Sequence, residues 1–167
     1  MIIGQKELEV RLDKMSKVDL RKGVEQSIAK VRSAAKEACK SNTGELRNSI
    51  FVSVETREES VVGTCYTNKA YAPYVEFGTG PVGQDNHIGI SPDVAITYSQ
   101  KGWMIPGNAM DRDYAESKGL GVVEGKDGEV IGYLTNGSPA RPFMYPALKN
   151  NEDEIVNIIA DAVRRQL

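Results

Sequence analysis

The sequence predicts an α+β fold: an antiparallel sheet of two hairpins, with a long helix from the N-terminal half and a C-terminal helix packed on it. Three observations predict it. Two segments repeat apolar residues at three- and four-residue steps, and two segments between them alternate apolar with polar. A glycine- and proline-rich excursion separates the hairpins. The 167 residues suit one domain with a real core, in which residues 81–119 stand out as an extended loop or arm.

The elements follow in order. Glu7–Lys14 is short and charged; its "LEVRL" alternation favours a strand over a first helical turn. From Ser16 onward Val18, Leu20, Val24, Ile28, Val31, Ala34, Ala35 and Ala38 mark a helix over about Asp19–Lys40. Asp19 suits its N-terminus, and Lys36 and Lys40 suit the negative end of its dipole. "SNTGEL" stops it at Asn42 and Gly44, and Thr43 can cap a brief turn into Leu46. Ile50, Val52 and Val54 then alternate with Ser49, Ser53 and Glu55, and "VVGTCYT" is the antiparallel partner, so Ser49–Thr67 reads as a hairpin. Val122 and Val123, the "GKDGE" turn and the return run Val130–Leu134 read as a second. "NGSPARPF" leads into the last helix, whose apolar face is Met144, Ala147, Leu148, Ile155, Ile158, Ile159, Ala162 and Val163. Asn150 and Asn151 are a weak point where it kinks or restarts. Glu152, Asp153 and Glu154 open its second half and Arg164 and Arg165 close it, as the helix dipole favours.

The excursion Pro81–Gly119 has poor periodicity and is too long for a plain loop in a compact domain. It holds the chain's only tryptophan, Trp103, and only histidine, His87. The apolar triplet Trp103–Met104–Ile105 has two readings. It is an arm's anchor on an adjacent subunit, or it folds back as an extra strand.

Composition excludes several classes. A net charge of −2 lacks the basic footprint of a nucleic-acid binder. The opening "MIIGQKELEV" has no basic region followed by an apolar one, so no signal peptide is expected. No apolar run approaches about 18 residues, so no membrane span is expected. Cys39 and Cys65 lack metal-ligand spacing and read as free, buried thiols. A lone histidine makes His-based metal clusters and Ser-His-Asp or Cys-His catalysis hard to build; His87 itself reads as solvated. "GTGPVG" lacks the GK[ST] ending of a phosphate loop, and Pro81 argues against the helix a dinucleotide fingerprint needs. Asp111, Asp113 and Glu116 read as a solvated charged loop, without the glycine and closing acid of an EF-hand. No catalytic, cofactor-binding or metal-ligating residues are assigned.

"YAPYVEFGTG", Tyr71–Gly80, is the most distinctive stretch. It suits one or two helical turns with Pro73 in the first and Tyr71, Tyr74 and Phe77 on one side. Glu76 among aromatics should be partly buried, accepting backbone N–H groups or meeting Arg141. Gly78 permits a positive-φ exit. The stretch is a fold-stabilising corner or an interface with another copy.

"TGELRNSI" at Thr43–Ile50, "YAPYVEFGTG" and "ARPFMYPAL" at Ala140–Leu148 occur in that order, with a helix before them and a helix closing the chain. In this the chain resembles the tailed-phage morphogenesis family named after the tenth gene product of a lambdoid coliphage, minor virion proteins of the neck or tail-completion type. The resemblance implies a non-enzymatic, ring-forming connector between phage head and tail. Its motif and interface positions here are Thr43, Gly44, Leu46, Tyr71, Ala72, Tyr74, Glu76, Gly78, Thr79, Arg141, Pro142, Phe143 and Pro146, to which Trp103 is added as an interface anchor. Implied partners are further copies, six favoured over twelve, and neighbouring neck or tail proteins such as head-closure, tail-terminator or tail-tube proteins. Genomic DNA would pass through the ring without sequence-specific binding. The implied location is the virion, assembled in the host cytoplasm. The competing readings are a small cytoplasmic enzyme or nucleotide-binding protein using the Gly78–Gly83 loop and the Asp111–Glu116 acids, and a monomeric adaptor.

Overall fold

The computed structural model describes residues 5–40 and 44–167. Helices and antiparallel strands make an α+β protein. The chain divides into two compact units: the chain up to Ala70 with Phe143–Leu167, and Tyr71–Pro142. The two hairpins lie in separate sheets, not in the single sheet expected.

The first unit is built on helix α2 (Arg21–Ala38). Asp19 Oδ1 accepts the Arg21 N–H at 2.8 Å, satisfying one of the donors a helix N-terminus leaves open. The hairpin of β1 (Ile50–Thr56) and β2 (Val61–Thr67) pairs Ile50 with Thr67, Val52 with Cys65 and Val54 with Gly63. Gly63 makes room for α2: a Cβ there would stand 2.9 Å from Val24 Cγ1 and 3.2 Å from Ile28 Cβ. The other face of the hairpin is open, and Phe51 and Tyr66, directly opposite, meet there with ring centroids 6.0 Å apart and planes tilted by 40°. A short helix α3 (Glu45–Asn48) precedes β1. Ser49 Oγ donates to the Leu46 carbonyl at 2.7 Å and lies 2.7 Å from Thr67 Oγ1, closing the open end of the hairpin.

The C-terminal helix breaks where the two asparagines predict. Helix α7 (Tyr145–Lys149) ends at Asn150, Asn151 Nδ2 donates to the Ala147 carbonyl at 2.8 Å, and α8 (Glu152–Arg164) starts afresh. Helix α8 crosses α2 at Gly23, where a Cβ would meet Ala162 Cβ at 3.1 Å and Ile159 Cα at 3.3 Å. The buried face of α2 thus includes Gly23 and Ser27 beside Ile28, Val31 and Ala35; the small residues let the second helix approach. Gln166 ties the chain end to the start of α2, accepting from Asp19 N at 2.8 Å and donating to Asp19 O at 2.9 Å. Leu148, expected on the apolar face, is exposed.

Residues 5–16 correct a second expectation. Gln5–Ser16 is a helix, α1, not a strand. The "LEVRL" alternation fits both periods over so few residues, and Glu, Lys, Leu, Arg and Met are strong helix formers.

The second unit carries a three-stranded antiparallel sheet, order β3–β5–β4, from β3 (Trp103–Pro106), β4 (Gly121–Glu124) and β5 (Val130–Thr135). Of the two readings of the Trp103 triplet, the structure shows the strand: Trp103 faces Thr135, Met104 faces Leu134 and Ile105 faces Tyr133. This third strand is why the second hairpin builds a sheet of its own. One face buries Tyr133, whose hydroxyl donates to the Met110 carbonyl at 3.2 Å. Met104 and Leu134, paired on the other face, are about half exposed. Helices α4 (Ala72–Phe77), α5 (Gly80–Asp85) and α6 (Arg112–Ser117) complete the unit, and residues 86–102 run without helix or strand. Among the described residues, no helix is long and apolar enough to cross a membrane.

Candidate functional site

The corner at Tyr71–Gly80 forms the short helix its sequence predicts. Pro73 sits in the first turn of α4, where its missing N–H costs nothing. The helix buries Ala72 and Glu76, one turn apart, and turns Tyr71 and Tyr74 outward, Tyr74 to 62% exposure. Glu76 is buried at 5% exposure, in line with the expectation that it is at least partly buried: a six-residue helix inserts its small residue and its carboxylate, and the tyrosine rings line a surface.

The chain leaves α4 through Gly78, at φ +76° and ψ −179°, a conformation essentially confined to glycine. A Cβ at this position would lie 2.7 Å from Ala140 N and 2.8 Å from Ser138 O. That close approach lets Thr79 and Ser138 form an antiparallel bridge. Thr79 N–H donates to Ser138 O at 2.9 Å and Ser138 N–H to Thr79 O at 3.1 Å; the two hydroxyl oxygens lie 3.2 Å apart. Farther along, Arg141 N–H donates to Val75 O and Ala140 N–H to Asn86 O, each at 2.8 Å. Arg141 thus joins the corner through its backbone, and its side chain is exposed. The start of the third sequence motif is clasped onto the second across about sixty residues of intervening chain.

The same bonds bear on the phosphate-loop reading. A helix does follow Gly78 and Gly80, contrary to the expectation from Pro81, because proline is well placed in a first turn. But the amides a phosphate would need are already spent inside the protein. Thr79 N–H serves Ser138, Val82 N–H serves Asn136 O at 3.2 Å, and Gly83 N–H closes on Thr79 O at 2.9 Å. A Cβ at Gly83 would stand 2.8 Å from the Gly78 carbonyl carbon. These glycines serve the contact of chain on chain.

Above the corner lies a groove of about 490 Å³, walled by Pro73, Tyr74, Phe77, Ile96, Tyr98 and Trp103. Its surface is chiefly apolar. The Tyr98 hydroxyl donates to the Phe77 carbonyl at 2.8 Å, which pins the 96–99 segment to α4, and desolvation raises its pKa, keeping it a donor. His87 is exposed, as expected, and stacks on Tyr98 with centroids 5.9 Å apart. Trp103, at the start of β3, is 40% exposed. The groove offers shape, aromatic area and a few hydroxyls, the make-up of a contact surface.

The other predicted positions divide between the units. Thr43 lies outside the described residues. Gly44, at φ +72°, starts α3, and Leu46 is buried; both belong to the first unit, as does the buried Phe143. Pro142 lies in the second unit, near Gly89. The corner therefore unites Tyr71, Tyr74, Glu76, Gly78, Thr79, Trp103, Arg141 and Pro142 within one unit. Sequence reasoning missed Ser138, Asn136 and Tyr98. "NGSP" carried a turn signal for the first two; Tyr98 sits in a run with no periodicity and had none.

Elsewhere, Arg112 binds Glu116 at 2.8 Å and Glu124 at 2.6 Å, so part of the 111–116 acid group is engaged by an arginine. No group of residues fit to hold a metal ion occurs among the described residues. Neither cysteine forms a disulfide: Cys39 is buried, and Cys65 is partly buried with its pKa pushed up by desolvation, against the opposing pull of Arg32 and Lys36.

Residues 5–78 match the family model described as "Bacteriophage HK97-gp10, putative tail-component". The match takes in the first motif and most of the second, which bears out the resemblance read from the sequence; the third motif lies beyond it. No curated protein and no solved structure matches the chain.

Proposed function

We propose that this protein is a structural virion component of a tailed phage, a neck or tail-completion subunit that joins head and tail as one member of a ring. The observation that carries the reading is the tail-component family match over residues 5–78. The corner supports it. Glycine-enforced backbone contacts hold α4 rigidly, so that Tyr74 and Phe77 form a fixed apolar wall rather than a mobile loop. A ring subunit needs such preformed contact surfaces. Six copies match the symmetry of a tail tube, and twelve is the alternative. Neighbouring head-closure, tail-terminator or tail-tube proteins stack on the ring, and genomic DNA passes through it without sequence-specific binding. Residues of the 81–119 excursion, Trp103 among them, contribute contacts, and the protein acts in the virion after assembly in the host cytoplasm.

Removing the gene from its phage tests this. Filled heads and separate tails should accumulate in the lysate, with infectivity restored by the gene supplied in trans. Normal infectious particles without the protein would sink the proposal.

A further inference from the structure

Both strands of the first unit's hairpin are edge strands. Their sheet has the order β1–β2, and among the described residues no third strand pairs with either. An edge strand presents a row of open backbone groups, and proteins guard such rows with brevity, charge, proline or bulges. The second unit does so. Its edge strands β3 and β4 have four residues each; β3 ends in Pro106, and β4 breaks register at Val123/Glu124 and ends in a carboxylate. The hairpin has almost none of this. β1 and β2 run for seven residues each in unbroken register, without proline, and Glu55 is the single charged side chain in the two strands.

The turn shows which backbone groups point outward. Arg57 N–H donates to Ser60 O at 2.7 Å, and these two residues continue the hairpin's register. Bonded pairs recur at every second position of an antiparallel ladder, so Glu55–Val62, Ser53–Thr64 and Phe51–Tyr66 bond to each other. The even-numbered residues of β1 and the odd-numbered residues of β2 therefore direct their N–H and C=O groups away from the hairpin.

We propose that the β2 edge of one copy pairs, antiparallel, with the β1 edge of the next copy. The inference rests on the ring reading above and deepens it. A ring joins its copies head to tail through two different patches, and the two edges are different and of equal length. Because β1 and β2 run antiparallel, a copy turned about the ring axis brings its β1 antiparallel to the β2 it meets. The backbone groups match as well. Carried across the contact, the hairpin's own register sets Cys65 against Val52 of the next copy, and both point their backbone groups outward. The same register sets Tyr66 against Phe51 of the next copy. These rings are 44% and 42% exposed, and each gains a second aromatic neighbour of the kind that stabilises cross-strand pairs. A β2–β2 or β1–β1 contact makes a two-fold dimer and leaves the other edge of every copy bare; a closed ring of β2–β1 contacts leaves none bare.

Amide hydrogen exchange in the assembled parent, quenched and read residue by residue, tests this. In a bare hairpin the inward amides of Ser53 and Thr64 are protected and the outward amides of Val52 and Cys65 are not. In the ring, the protection of Val52 and Cys65 should come within about 10-fold of that of Ser53 and Thr64. If rings form and both outward amides stay unprotected, the edge pairing is wrong while the ring reading stands. Protection at Val52 alone or at Cys65 alone means that the two edges do not meet each other, and the proposal fails. A parent that stays monomeric overturns both. Sedimentation of two variants supplies an independent check. Val52→Pro and Cys65→Pro each remove one outward N–H and spare the hairpin's own bonds. Each alone should be monomeric, and an equimolar mixture should stop at dimers, because each mixed pair keeps one intact contact. Rings from either variant alone, or a mixture that stays monomeric, would overturn the proposal; if a variant fails to fold by circular dichroism, the exchange pattern of the parent decides.

Discussion

Replacing Gly78 with alanine probes the corner most sharply. Alanine must either adopt φ +76° with ψ near 180°, at a cost of about 1–3 kcal/mol, or move the chain. Its Cβ would also press on two backbone atoms, Ala140 N at 2.7 Å and Ser138 O at 2.8 Å, neither of which can swing aside as a side-chain tip can. Relief requires parting the Thr79–Ser138 bridge and its two backbone hydrogen bonds, worth about 1 kcal/mol each. The expected loss is about 3–5 kcal/mol. For a unit of this size, each kcal/mol lowers the melting temperature by roughly 4–8 °C, so the fall should exceed about 10 °C. The chain's only tryptophan lies in this unit, so its fluorescence during thermal or urea unfolding reports the right transition. Gly119→Ala is the control. Gly119 has φ +72° with nothing within 4 Å of a new Cβ, so it should lose only the conformational part, about 1 kcal/mol. A Gly78→Ala protein melting within about 2 °C of the parent, or equal losses at both sites, would refute the reasoning.

Three further outcomes are expected. Glu76→Ala should destabilise by about 1–3 kcal/mol in urea titration, because Glu76 is a buried carboxylate at 5% exposure; an unchanged midpoint would contradict a structural role for it. Gly23→Val should cost about 1–3 kcal/mol by forcing α8 off α2, and a neutral result would mean that the helix crossing is looser than described. Cys65, its thiol held protonated by burial, should alkylate more slowly than a free thiol at pH 8 and speed up as the pH is raised further. A fast reaction at pH 8 in the folded state would show that the burial is wrong.

The sequence made the regular elements legible where periodicity was long or a turn residue was decisive. Helix α2, both hairpins, the asparagine break before α8 and the Gly78 exit were all readable. It failed where several periods fit a few residues, as in "LEVRL", and where partners are set by tertiary contacts. Trp103–Ile105 suited either an arm or a strand, and its pairing with β5 decides which sheet the second hairpin joins. The corner itself was visible as a motif, but its orientation was not. Spacing puts Tyr71, Tyr74 and Phe77 on one side without saying which way that side faces. In the fold, Ala72 and Glu76 take the inner side because a short helix pressed against backbone has room for little else. Gly23 and Ser27 escaped the core prediction for a related reason: small residues mark a close helix crossing only once the partner helix is known.

The most direct test of the account is the assembly state of the full chain, measured by native mass spectrometry with negative-stain imaging of the same sample. The account predicts a closed ring with a discrete copy number, six in preference to twelve, and a central opening. A species that remains a monomer at every concentration, or an open polymer of no fixed length, would contradict it.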